Sequence, residues 1–117
     1  MGNLMPFRTE RIYETDSPED GFRLLTMRLW PRGVKKEQVS RWEKELGPSR
    51  QLLDDYRSSR ADWEEFERRY REEMASKEAL LRECADLERD QIVTLLCGCR
   101  DKTRCHRTIL KQILEAL

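Results

Sequence analysis

The sequence predicts an α/β fold: a small, mostly parallel sheet of three to four strands flanked by about five helices. Three observations point there. The apolar run Ile92-Val93-Thr94-Leu95-Leu96 does not alternate, which suits a strand covered on both faces, at the centre of a parallel sheet. Helix-period patterns separate it from two earlier strand-like segments, and another follows it, giving the order strands, helices, strand, helix. At 117 residues the chain can bury one core but not two, so residues 1–117 read as a single α/β domain.

The elements follow in order. Phe7 to Tyr13 reads as a short first strand on the propensity of Phe7, Ile12 and Tyr13, with its direction left open. Asp16-Ser17-Pro18-Glu19-Asp20-Gly21 is a turn, and Phe22 to Trp30 a second strand stopped by Pro31-Arg32-Gly33. From Lys35, Val39, Trp42 and Leu46 recur at helical spacing, so a helix is expected up to the stop at Gly47-Pro48. Ser49 caps a short helix through Leu52, Leu53 and Tyr56, which Ser58-Ser59-Arg60-Ala61 breaks. Asp62 with Glu65 resembles a capping box ahead of a helix whose apolar face is Trp63, Phe66, Tyr70 and Met74. Lys77 to Arg89 is a further helix, burying Leu80, Leu81, Cys84 and Leu87. After the strand from Ile92 to Cys97, the residues Ile109, Leu110, Ile113, Leu114 and Leu117 form a closing amphipathic helix.

Charge is balanced, 23 basic against 23 acidic residues, so no global field selects a polyanion or a membrane surface as partner. A nucleic-acid backbone stays open as a partner but is not favoured on that ground. No stretch spans a bilayer, and Met1 to Pro6 lacks the apolar centre of a secretory leader, so a cytoplasmic location is expected. The oligomeric state is left open.

Chemistry concentrates in the last quarter, where Cys97, Cys99, Cys105 and the sole histidine, His106, sit in one loop. Between Cys97 and Lys111, Arg100, Lys102, Arg104, Arg107 and Lys111 face the single acid Asp101, a local field that attracts anions. Cys105 lies at the start of the last helix, where free N–H groups and the dipole favour a thiolate. With Arg104, His106 and Arg107 beside it, its pKa is expected below the ordinary ~8.5, making Cys105, His106 and Arg107 the catalytic candidates. The cysteine, five residues, arginine spacing of thiolate phosphatases is absent.

Two other uses of the loop compete. Cys97, Cys99, Cys105 and His106 have the donor count of a zinc site, although adjacent Cys105 and His106 cannot easily converge and the positive surroundings disfavour a cation. A redox role would have Cys97 or Cys99 resolve an oxidised Cys105. The plainest alternative is structural, with Cys97 and Cys99 ending a buried strand as small apolar residues. Cys84, in step with Leu80, Leu81 and Leu87, belongs to the core.

A second constellation is Arg28, Trp30, Pro31, Arg32 and Gly33. Two arginines can clamp a phosphate or carboxylate, and Gly33 lets the backbone approach it. Ligands of such folds bind beyond the carboxyl ends of the strands. An anionic, phosphate-bearing ligand is therefore expected between the Arg28–Gly33 turn and the Cys97–Arg107 loop, held by Arg28, Arg32, Gly33, Cys97 and Arg104. If the chain is an enzyme, thiolate-dependent transfer or hydrolysis is the expected class, with no cofactor. The alternative is a noncatalytic interaction or regulatory module.

Taken in order, Pro18-Glu19-Asp20-Gly21, Arg28-Leu29-Trp30-Pro31-Arg32-Gly33, Trp63 to Tyr70, and Leu95-Leu96-Cys97 through Cys105-His106-Arg107 resemble the YeaO-like branch of the bacterial family called domain of unknown function 488. The resemblance spans nearly the whole chain. It implies a small cytoplasmic α/β protein with these two loops as its functional surface, and it implies no reaction. Met27 stands where the family commonly has aspartate, Ser58 to Asp62 replaces a stretch that often holds histidine and aspartate, and Cys99 replaces glutamate or alanine.

Overall fold

A computed structural model describes residues 7–14 and 17–117 of the chain. Residues 1–6, read above for a leader, and Asp16 of the expected turn lie outside the described residues. Strands β1 (Phe7–Arg11), β2 (Phe22–Leu25), β3 (Arg41–Trp42) and β4 (Val93–Cys97) form one sheet in the order β1-β4-β2-β3. Every pairing is parallel, which settles the direction of the first strand. The helices are α1 (Arg50–Arg57), α2 (Trp63–Ala75), α3 (Glu78–Asp86) and α4 (His106–Glu115), joined by short 3-10 turns.

β4 is central, as its unbroken apolar run predicts. Leu95 pairs with Thr9 of β1 on one side and Leu24 of β2 on the other, and all five β4 residues are buried. The chain leaves β1 for β2 and returns only at the end to fill the gap, so the carboxyl end of β4 is flanked by the ends of both neighbours. That position is where open α/β sheets bind ligands.

The two faces of the sheet are covered differently. Phe7, Leu24, Val93 and Leu95 pack with Leu52, Phe66, Tyr70, Met74, Leu81, Cys84, Ile109, Leu110 and Leu114, so residues of all four helices join the core on one side. On the other side Ile12, Leu25 and Leu96 are covered by Met27, Trp30, Val34 and Val39, an irregular segment. The helix expected from Lys35 to Leu46 does not form, which leaves four helices rather than about five. In its place stand 3-10 turns at 36–38 and 44–46 with β3 between them. Three apolar residues at helical spacing would have shared one face, yet Val39 covers the second sheet face, Trp42 meets Trp30 edge-on at 5.4 Å, and Leu46 enters the helical core. Backbone bonds from Ser40 N–H to Arg23 O (2.8 Å) and Glu43 N–H to Leu25 O (2.9 Å) hold the segment as an edge strand.

β2 stops at Leu25, earlier than the expected Trp30. Thr26 N–H still donates to Leu96 O at 3.0 Å. Beyond it Arg28 turns to the next loop, giving Nη2 to Gly47 O (2.9 Å) and Nε to Pro48 O (3.2 Å). Gly21 opens β2 at φ +64°, and a Cβ there would lie 2.3 Å from Ile92 O, so glycine is required.

Candidate functional site

In a strand, alternate residues share a face, so Cys97 follows Val93 and Leu95 toward the helices. α4 begins directly under that end of the sheet, and its first residue, His106, reaches the residue that follows β2. His106 Nε2 lies 2.7 Å from Thr26 O and 3.2 Å from Thr26 Oγ1. The Thr26 hydroxyl gives its own hydrogen to Leu96 O at 3.0 Å. A carbonyl oxygen only accepts, so this network assigns the hydrogen to Nε2 and leaves the Nδ1 lone pair facing Cys97 Sγ at 3.8 Å. Burial lowers the basicity of His106, keeping the ring neutral. The Tyr70 ring sits 5.5 Å from it, fixed by donation from the Tyr70 hydroxyl to Leu46 O at 2.7 Å. Burial pushes that phenol well above its usual range.

Arg107, the next residue, is 3% exposed. Its Nη1 donates to Cys97 O (3.1 Å) and Cys99 O (3.2 Å), so the guanidinium curls the strand end around itself. Among the described residues no carboxylate pairs with it, and its buried Nε has no partner. A buried cation in that position calls for negative charge nearby.

The sulfurs of Cys97, Cys99 and Cys105 lie within 4.8 Å of one another, with 3.6 Å between those of Cys97 and Cys99. Hydrogen bonds from Cys105 and Cys99 hold the Cys97 thiol well below its ordinary value, helped by the Arg107 charge and opposed by burial. Cys105 is pushed far up by donating to Cys97 and Cys99 and by burial. For Cys99, a hydrogen bond from Cys105 lowers the value, but donation to Cys97 and burial outweigh it and leave the thiol raised. Cys84 lies in the core, its thiol pushed up to about 11 by burial. Sulfur spacing of this kind suits one soft metal ion. His106 is not part of that close group, and the neighbouring Arg107 disfavours a cation.

Above the thiols opens a cavity of about 410 Å³. Cys97, Gly98, Cys99 and His106 form its floor, Tyr13, Met27, Leu29, Pro48 and Leu53 its apolar wall, and Arg28, Arg50, Asp54 and Arg57 its polar rim. Of the residues singled out in the sequence, Cys97, Cys99, His106 and Arg28 thus come together. Cys105 lies beneath them, 1% exposed, as the N-cap residue of α4 without a side-chain cap bond. Arg32, Gly33 and Arg104 are exposed and do not line the cavity. The reason lies in Trp30 and Val34, which pack on the second sheet face and carry the Pro31–Gly33 turn with them. Arg28 is committed to Glu45, at 3.2 Å, and to the Gly47 and Pro48 carbonyls.

The opposite wall comes instead from α1, a helix the sequence reading treated only as packing. Arg50, Leu53, Asp54 and Arg57 line the cavity at spacings of three, four and seven residues, so one helical stripe faces it. That polar stripe was the available signal for Arg50 and Arg57. Thr26, which orients His106, carried no signal of its own.

Comparison with known proteins places the chain among relatives of similar length. The chain is 33% identical to the uncharacterized protein YeaO of Escherichia coli over 115 residues, covering 97% of this chain and all of that one. Uncharacterized proteins of Mycobacterium tuberculosis and Mycobacterium bovis are 36% identical over 110 residues, 92% of each chain. No solved structure gives a significant match. Residues 7–117 match the family described as the active DUF488-N3 subclade, and the chain belongs to that DUF488 family.

Proposed function

We propose that this protein binds an anionic small molecule in the cavity over the cysteine loop and that Cys97, rather than Cys105, is its reactive thiolate. The observation that carries this reading is Arg107, a buried guanidinium with no carboxylate partner among the described residues, whose charge lies beside the Cys97 thiol. A Cys97 thiolate supplies the missing negative charge. Cys105, protonated and buried, donates to it. The subclade's description as active accords with a chemical role.

Arg50 and Arg57 make no ion pair among the described residues, so they are the cations available to an incoming phosphate or carboxylate. Leu53, Met27 and Tyr13 would receive its apolar part. A volume near 410 Å³ suits a metabolite-sized ligand. Thiolate-dependent transfer or hydrolysis follows: Sγ bonds to the electrophilic centre, the leaving group departs with the electron pair, and a second nucleophile or water releases the thiol.

The test is the iodoacetamide alkylation rate of each cysteine against pH in the native protein, read by peptide mapping with and without chelator. Cys97 is expected to react first, with an apparent pKa below the ordinary ~8.5, and Cys105 only after unfolding. An inert Cys97, a faster Cys105, or reactivity that appears only with chelator would each overturn the assignment.

A further inference from the structure

We propose that Cys97 is also a peroxide-oxidation site and that Cys99 is its resolving cysteine, the pair closing to a reversible Cys97–Cys99 disulfide. The inference rests on the reading of Cys97 as the thiolate. Three observations beyond that reading carry it.

First, among the sulfurs around Cys97, that of Cys99 stands 3.6 Å away, close enough that side-chain rotation rather than element movement brings it to bonding distance. Second, both residues line the cavity, and Cys99 is half-buried while Cys105 is 1% exposed beneath them. A peroxide entering the cavity meets the first two sulfurs. Third, Gly98 separates them, and Arg107 binds the carbonyls on both sides of it. A disulfide between residues two apart closes a small ring that bends the backbone, and glycine is the residue that admits the bend. The segment is already curled around the guanidinium.

The chemistry balances with a hydroperoxide as oxidant and a low-molecular-weight thiol as reductant. The Cys97 thiolate attacks the terminal peroxide oxygen; the S–O bond forms, the O–O bond breaks, and the alkoxide or hydroxide leaves and takes a proton from water. Sulfur has then lost two electrons and is a neutral sulfenic acid. Loss of the Cys97 thiolate removes the larger of the two influences that raise Cys99, leaving burial opposed by the stronger hydrogen bond from Cys105. The Cys99 thiolate attacks Cys97 Sγ, the S–S bond forms, the S–O bond breaks, and hydroxide leaves to become water. Two thiol exchanges restore both cysteines. In the oxidised form Cys97 cannot act as a nucleophile, so the cavity would be active only when reduced.

Trypsin separates the outcomes, because residues 90–100 hold both Cys97 and Cys99 whereas Cys105 falls in residues 105–107. Native protein treated with a small excess of hydrogen peroxide, then blocked and digested, is expected to yield the 90–100 peptide lighter by two hydrogen atoms. Iodoacetamide labelling of Cys97 should be lost and should return with thiol. Cys99→Ser should stop at the sulfenic acid, trapped by dimedone, while Cys105→Ser should still form the disulfide. A peptide cross-linked between 90–100 and 105–107, or wild type reaching the sulfinic acid as readily as Cys99→Ser, overturns the proposal. Rapid alkylation of Cys97 without disulfide formation would sink the resolving role alone, whereas a Cys97 inert to both reagents would sink the thiolate reading beneath it.

Discussion

His106 is neutral because it is buried and because Nε2–H is committed to Thr26 O, and that has a consequence for stability. Its folded-state value lies below its unfolded value, so in acid the unfolded chain takes up a proton that the folded chain refuses. Stability is therefore intact above about pH 6.5 and falls as pH drops below it, by up to about 1.4 kcal/mol per unit. His106→Gln, which has no such proton to take up, is expected to flatten the decline between pH 7 and 5.5 in urea-midpoint measurements. An unchanged slope would place the titrating group elsewhere. Arg107 gives the second test at this scale. Arg107→Met removes a charge beside the thiol and the donor to two carbonyls, so the alkylation profile of Cys97 should move to higher pH and stability should drop by about 1–3 kcal/mol. Arg107→Lys should restore much of the profile and less of the stability, since a lysine lacks the planar fork. Sequence could place these residues in one loop, but it could not rank the thiols. The ranking depends on which sulfur donates to which, and that arises only when β4 and the first turn of α4 meet.

At the level of elements, the capped helices were legible because their signals are local. Ser49 accepts from Leu52 N–H at 3.2 Å and Asp62 from Glu65 N–H at 2.9 Å, where the serine and aspartate ahead of apolar periodicity said they would. Asp62 supplies the N-cap bond of the capping box expected from the sequence. The segment from Lys35 to Leu46 misled because a 3.6-residue period built on three residues is indistinguishable from separate anchors, and here Val39 and Trp42 go to the second sheet face, Trp42 against Trp30, while Leu46 enters the helical core. One element carries local strain that can be relieved. Ser59, after α1, is the sole non-glycine at positive φ (65°) among the described residues, and its N–H closes on Tyr56 O at 3.2 Å. Ser59→Gly is expected to stabilise the protein by about 1 kcal/mol, since glycine adopts that conformation without the Cβ penalty. Thermal unfolding measures it, and a lower melting temperature would mean that the serine side chain contributes more than its backbone costs.

Across the whole molecule the parallel sheet separates two kinds of polar cluster. Beyond the carboxyl ends of the strands lie the thiols, His106 and the open cavity. At the amino ends, Asp20 and Arg23 form a buried ion pair, with Arg8 a further 3.6 Å from Asp20, Ser17 N–H donating to Asp20 at 3.1 Å, and the Thr94 hydroxyl donating to Asp20 O at 2.6 Å. These contacts join the starts of β1, β2 and β4, a strand order that no local sequence pattern encodes because it places the last strand between the first two. Buried and joining three strands, the amino-end cluster is assigned to stability. Asp20→Ala leaves Arg23 buried and unpaired, so it is expected to cost about 3–5 kcal/mol. The added change Arg23→Met should recover much of that loss by removing the stranded charge. In both variants, below their melting temperatures, the alkylation profile of Cys97 against pH should match wild type. Cys97→Ser should abolish the fast-reacting site and should also lower the melting temperature, because it removes the charge that offsets the buried Arg107. If instead Asp20→Ala shifts the Cys97 profile in fully folded protein, the two ends communicate through β4, and dividing the molecule into a stabilising end and a reactive end is wrong.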